Sequence, residues 1–213
     1  MRKFLFIGFL LVLSVNPLFS QTEKGKVLVV LNSTILNNGL SQIGYQTQKT
    51  KDDDFEGNPT KTFNLNLTPK MGLFAWDNLA LGVEGSINFI SIKNSFFFGD
   101  NVNATILLGG PFFRYYYGKK QVRPFAEIGA LFGGSKFTSE DPDGFDPDST
   151  NKTNISRYKG GVGLATQLGN KVSFDTFLGY STLTEKDTED NPDNERDITN
   201  GLLLEIGISI YLN

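Results

Sequence analysis

Runs of period-two sequence, joined by connections that alternate strictly between short and long, constrain this chain more than any other feature. From Lys26 onward apolar and polar residues alternate in stretches rich in Val, Ile, Phe, Tyr and Thr, the pattern of strands with two unlike faces. Strands are expected at about 26–35, 60–76, 79–91, 101–117, 122–137, 154–168, 171–184 and 198–212. Asp77-Asn78, Gly118-Lys119-Lys120-Gln121 and Gly169-Asn170 read as tight hairpin turns. The other connections, 36–59, 92–100, 138–153 and 185–197, are long and polar. In an up-and-down barrel alternate turns lie at opposite ends. All long loops then share one rim, and the tight turns share the other with both termini. The expected fold is all-β: an eight-stranded antiparallel up-and-down transmembrane β-barrel of the outer-membrane kind, with short periplasmic turns and long outer loops.

The first twenty residues set the compartment. Met1-Arg2-Lys3 is basic, Phe4 to Val15 is almost wholly apolar, and Asn16-Pro17-Leu18-Phe19-Ser20 closes the run with a turn and a small residue. That order marks 1–20 as a secretory signal peptide, cut between Ser20 and Gln21, and leaves 21–213 as one outer-membrane barrel domain. No later stretch approaches the ~18 apolar residues of a membrane-spanning helix, so the mature chain can cross a bilayer only as a closed barrel. The expected location is the outer membrane of a Gram-negative bacterium, with both termini periplasmic.

The two strand faces differ in kind. One is a nearly continuous apolar band: Phe63, Leu65, Leu67, Met71 and Leu73; Leu79, Leu81, Val83, Ile87 and Phe89; Leu202, Leu204, Ile206, Ile208, Ile210 and Leu212. The other is small and polar, with Asn64, Thr68, Ser86, Asn88, Ser173, Ser181 and many glycines. A secreted soluble ligand-binding barrel is the structural competitor, but its outer face would carry many charged residues along the strands. Small residues suit a narrow lumen, and an unbroken apolar band suits lipid. The long loops hold a large excess of acids over bases, and Lys119, Lys120 and Lys171 lie at short turns. Those acidic loops are the expected contact region for an extracellular partner, with outer-membrane lipid and lipopolysaccharide as the surroundings.

The stretch Gly110-Pro111-Phe112-Phe113-Arg114-Tyr115-Tyr116-Tyr117-Gly118, a tight turn, and Arg123-Pro124-Phe125 resemble the outer-membrane β-barrel domain family common in Bacteroidota. Gly160-Gly161-Val162-Gly163-Leu164 and Leu178-Gly179-Tyr180-Ser181 are similar to its later strands. The resemblance spans essentially the whole mature chain. It implies an eight-stranded barrel related in shape to the small OmpX and OmpA barrels, and no particular activity. Members usually finish on an aromatic residue read by the barrel assembly machinery. This chain ends Ile210-Tyr211-Leu212-Asn213, which leaves Tyr211 as the candidate signal.

Lys70, Glu84, Arg114, Arg123, Glu127, Asp175 and Glu205 fall on the presumed inner face. Charges enclosed in a narrow barrel need partners, because an unpaired buried charge costs several kcal/mol. A charge-paired, plugged interior is therefore expected ahead of a gate or a thin porin-like channel for small solutes. A bulge is expected at Gly109-Gly110-Pro111, where proline lacks a ladder donor, and past it the inward setting of Arg114 could reverse. Asp141, Asp143, Asp146 and Asp148 are weak Ca²⁺ candidates without EF-hand spacing. The chain has 0 His and 0 Cys, which removes histidine-based triads and thiol nucleophiles. A carboxylate pair such as Glu84 with Glu127 remains for acid–base work, but pairing with cations explains those residues more simply, so no enzyme and no cofactor are expected. A net charge of −3 and the lack of a phosphate loop make nucleic acid a poor partner.

Overall fold

The computed structural model describes residues 21–36, 44–48, 51–52, 55–56, 60–93, 101–118, 120–140, 149–187 and 195–213. The signal-peptide expectation over 1–20, the Lys119 turn position and the four Ca²⁺ candidates lie outside them. In chain order the strands are β1 (Val27–Leu36), β2 (Gly44–Gln48), β3 (Lys51–Asp52), β4 (Phe55–Glu56), β5 (Thr60–Trp76), β6 (Leu79–Lys93), β7 (Asn101–Tyr116), β8 (Val122–Glu140), β9 (Ser149–Gln167), β10 (Val172–Asp187) and β11 (Asp197–Leu212). β1 and β5 to β11 form an eight-stranded antiparallel up-and-down barrel, closed where β1 pairs with both β11 and β5. Closure pairs both edges of each of these eight strands, and among the described residues no helix takes part.

The long connections hold more structure than their sequence signals. β2 pairs antiparallel with the loop-side end of β5 (Gly44↔Asn64 to Gln48↔Thr60), and β3 pairs with β4. β8 and β9 stay paired up to Ser139↔Ser149, beyond the expected ends. In Ser149-Thr150-Asn151-Lys152-Thr153 both faces are polar, so the period-two hydrophobic signal disappears while the hydrogen-bonded ladder continues. The expected bulge at Gly109-Gly110-Pro111 is also absent. β7 pairs with β6 through Gly109↔Gly85, Gly110↔Glu84 and Pro111↔Val83, and its register on β8 is the same at Gly109↔Phe132 and Phe112↔Gly129. Gly110 lets the backbones close up, since a Cβ there would sit 1.9 Å from the Ala130 carbonyl oxygen. Alternation therefore carries through and Arg114 points inward.

The two faces sort as their chemistry demands. Outward positions include Leu31, Met71, Val83, Leu107, Ile128, Val162, Leu178 and Ile208, all exposed. Between the turn-side and loop-side edges no described strand carries a charged residue on this face. On β8 the belt runs from Val122 to Phe132, the 9–11 residues a tilted strand needs to cross a hydrocarbon core. Exposed Trp76, Tyr115 and Tyr117 mark its turn-side edge, where amphipathic rings suit a bilayer interface.

Gln21 and Thr22 are 3% and 1% exposed and close the turn-side rim from below. Thr22 Oγ1 donates to Asn78 Oδ1 at 2.6 Å, Gln21 Nε2 donates to the Gly169 carbonyl at 2.9 Å, and the Lys24 amide donates to Asp77 Oδ1 at 2.9 Å. Asn78 sits at φ 68°, a left-handed position that asparagine tolerates and most side chains do not. Nothing in the sequence pattern marks residues 21–26 as a lid. Thr22→Val is expected to lower stability by about 1–2 kcal/mol, because Asn78 Oδ1 and the Arg123 guanidinium lose a buried partner. A lower urea midpoint with an unchanged slope would show it.

Candidate functional site: a charged layer across the lumen

Inward alternation brings one charged residue from every barrel strand except β1 to a common level. They are Lys70 (β5), Glu84 (β6), Arg114 (β7), Glu127 (β8), Lys159 (β9), Asp175 (β10) and Glu205 (β11), each at most 5% exposed. Glu127 accepts hydrogen bonds from Lys70 Nζ and Arg114 Nε. Arg114 Nη1 also donates to Asp175 Oδ2 at 2.6 Å and to the Tyr116 hydroxyl at 3.1 Å. Lys159 Nζ donates to Glu84 and, at 2.9 Å, to Glu205. Lys70 Nζ lies 3.3 Å from Glu205 and 3.7 Å from Glu84. β1 contributes Asn32, whose Nδ2 donates to Glu205 at 3.1 Å. Asp175 is saturated further by Ser173 at 2.8 Å and Ser209 at 2.6 Å.

This is a cross-brace. Each carboxylate touches cations from other strands, so the layer ties the wall together across the lumen as well as around it. Aromatic rings support it. The Arg114 guanidinium lies 4.2 Å from the Phe125 ring centroid, and Lys70 and Lys159 approach Phe177 at 5.9 and 5.7 Å. Small residues make the room: a Cβ on Gly129 would come 3.3 Å from Glu84 Oε2 and 3.4 Å from Lys159 Cε.

Apolar plugs flank the charges. On the turn side Leu28, Phe74, Phe112, Tyr116, Phe125 and Tyr211 belong to one buried cluster. On the loop side Ile106, Leu108, Leu131, Ile155 and Leu183 form another. Tyr211, the candidate terminal signal, is 3% exposed with its ring inside this plug and its hydroxyl 3.1 Å from Ser173 Oγ.

Most inner charges read from the sequence meet here, with one exception and two omissions. Arg123 is inward and buried but stands apart at the turn-side rim, where Nη1 donates to Thr22 Oγ1 at 3.4 Å. With its amide oxygen facing the guanidinium, Gln167 accepts from Arg123 Nη2 at 2.6 Å. Lys159 and Arg157 were not foreseen. The adjacent glycines Gly160 and Gly161 blur which face of β9 is which, and only the parity of Ala165 and Gly163 carries the inward setting back to Lys159 and Arg157. Arg157 is 1% exposed on the loop side of the layer. With it, Lys70, Arg114, Lys159 and Arg157 match Glu84, Glu127, Asp175 and Glu205 in number. Its Nε and Nη2 have no hydrogen-bond partner. Glu84 and Glu127, the carboxylate pair considered for acid–base chemistry, are both held against cations within a fully buried layer. Among the described residues no cluster of His, Cys, Asp or Glu is arranged to hold a metal ion.

No protein-family model and no curated protein matches the sequence. The fold is similar to outer membrane protein W of Escherichia coli, 15% identical, covering 88% of this chain and 98% of that one with a TM-score of 0.47. It is also similar to a major outer membrane protein from Thermus thermophilus, at 11% identity, 88% and 99% coverage and a TM-score of 0.46. The outer membrane protein OprG of Pseudomonas aeruginosa is 12% identical, with 92% and 100% coverage and a TM-score of 0.41.

Proposed function

We propose that this chain is an outer-membrane β-barrel of a Gram-negative envelope with a structural or surface-interaction role. Residues 1–20 are its cleaved signal peptide, both termini lie at the periplasmic rim, the barrel assembly machinery inserts it, and the acidic loops meet an extracellular partner. The kinship with the Bacteroidota barrel family rests on the strand motifs around Pro111 and Pro124 and on those at 160–164 and 178–181. The outward belt without charges supports the membrane over a soluble ligand-binding barrel, whose exterior would need charges to stay in water. One observation carries the choice of a non-conducting role. Apolar plugs on both sides of a cross-braced ionic layer fill the lumen with side chains, as expected for a barrel of this strand number.

Reconstitution into planar bilayers tests this. A barrel confirmed as inserted should give no stepwise conductance above the lipid background. Stepwise currents altered by Glu127→Gln would replace the closed-lumen reading with a narrow channel running through the charged layer.

A further inference from the structure

Among the described residues the lumen holds more buried cations than carboxylates. Lys70, Arg114, Arg123, Arg157 and Lys159 are the five cations, against Glu84, Glu127, Asp175 and Glu205. Lys70, Arg114 and Lys159 take all four carboxylates between them. Arg123 is provided for at the turn-side rim, where Thr22 and Gln167 meet its guanidinium. Arg157 is the exception. It is 1% exposed, yet its Nε and Nη2 both lack a hydrogen-bond partner. A buried charge left in that state costs several kcal/mol.

The two free donors share one edge of the guanidinium, and that edge is the fork that takes both oxygens of a carboxylate. No described side chain supplies one. Glu84 and Glu205 lie within electrostatic reach, but Lys159 holds both in the layer on the turn side of Arg157. Other free polar atoms gather on the same loop side of the layer. Ser135 Oγ on β8, Thr34 Oγ1 on β1 and Thr68 Oγ1 on β5 are buried hydroxyls without partners, and each can turn its proton toward an anion. Space comes from Ser181 and Gly201, which pair across β10 and β11 in the row of Lys159 and carry little or no side chain inward. Leu131 and Leu183, the register neighbours of Arg157 on its two sides, are buried and apolar. The facing wall is polar toward the loops through Asn88, Asn66 and half-buried Asn64, which provides a hydrated way in.

We propose that Arg157 holds a small monocarboxylate, of the size of formate or acetate, in the lumen on the loop side of the charged layer. Its two oxygens accept from Nε and Nη2, and its carbon end faces Leu131 and Leu183. The planar fork favours a carboxylate over a spherical chloride. A single negative charge matches the single excess cation. Phosphate or sulfate would turn further oxygens against the leucines, where they would be buried without partners. The charged layer is the floor of this site, so the lumen stays closed while the anion enters and leaves from the loops. The role is therefore separate from conduction and adds a soluble ligand to the structural one.

The test uses the refolded full barrel in detergent micelles, with sodium formate as the probe and sodium chloride holding the ionic strength fixed. A ligand that binds only the folded state stabilises it. The urea midpoint of the unaltered protein should therefore climb as formate replaces chloride, and that of Arg157→Gln should stay flat. Arg157→Lys keeps the charge and loses the fork. It should need about tenfold more formate for the same rise, the loss of one hydrogen bond to a charged group. In the unaltered protein the formate proton should give nuclear Overhauser cross-peaks to the methyl groups of Leu131 or Leu183, and none to Leu28 on the turn side. A flat response in the unaltered protein, which would mean that chloride serves as well as formate, would overturn the site. So would an equal rise in Arg157→Gln, or cross-peaks that miss both leucines. Heat-modifiable gel migration shows that each variant is folded, and if Arg157→Gln does not fold, Arg157→Lys and the cross-peaks decide.

Discussion

Glu127→Ala will cost the barrel about 3–5 kcal/mol, the range for removing one partner from a buried ion pair. Its carboxylate is shared by Lys70 and Arg114, with Lys159 Nζ 3.6 Å away. Truncation leaves cations facing one another in a layer where no side chain is more than 5% exposed. The surroundings of Glu127 are tightly filled: a Cβ on Gly129 of the same strand would press within 3.3 Å of Glu84 Oε2, and one on Gly163 of the neighbouring strand would lie 2.3 Å from Phe125 Cζ. Urea titration in lipid vesicles, followed through the single tryptophan, reads the loss as a lowered midpoint. Adding Lys70→Met to Glu127→Ala should give back part of it. A double mutant costing the full sum of the two single changes would mean that the contacts do not couple.

A larger asymmetry is expected on the outside. Val83 is 64% exposed at the middle of the belt. In a soluble protein Val83→Arg would be nearly neutral, because surface substitutions away from special features fall within about ±0.5 kcal/mol. In a bilayer the same change should cost about 2–4 kcal/mol, the penalty for arginine at the midplane of a membrane barrel. Thr150→Arg, on an exposed outward position at the loop-side end of β9, should cost almost nothing. The contrast between the two sites, measured in vesicles, depends on depth alone.

The barrel was legible because the property that makes it a barrel is written at period two. Strand number, turn alternation and the lipid face all follow from parity, and parity survives even at Gly110-Pro111, where a bulge was expected and the backbones close up instead. Legibility failed where parity loses its chemical contrast. Beyond Phe137 on β8 and before Asn154 on β9 both faces are polar, so the full length of these strands carries no period-two signal. At Gly160-Gly161 neither face is marked, so Lys159, which bridges Glu84 and Glu205, went unseen together with Arg157. The lid of Gln21 and Thr22 was invisible for another reason: its hydrogen bonds run to turns far along the chain, and no local pattern records them.

The central claim is that the outward face meets hydrocarbon. With 0 Cys in the chain, single cysteines take a nitroxide label without background, and Ile128→Cys places one on a belt position that is 61% exposed. In vesicles the label at 128 should collide readily with dissolved oxygen and hardly at all with a water-soluble nickel chelate, while a label at Lys152→Cys should show the reverse. A label at 128 that is open to nickel and poor in oxygen would place this face in water and contradict the account.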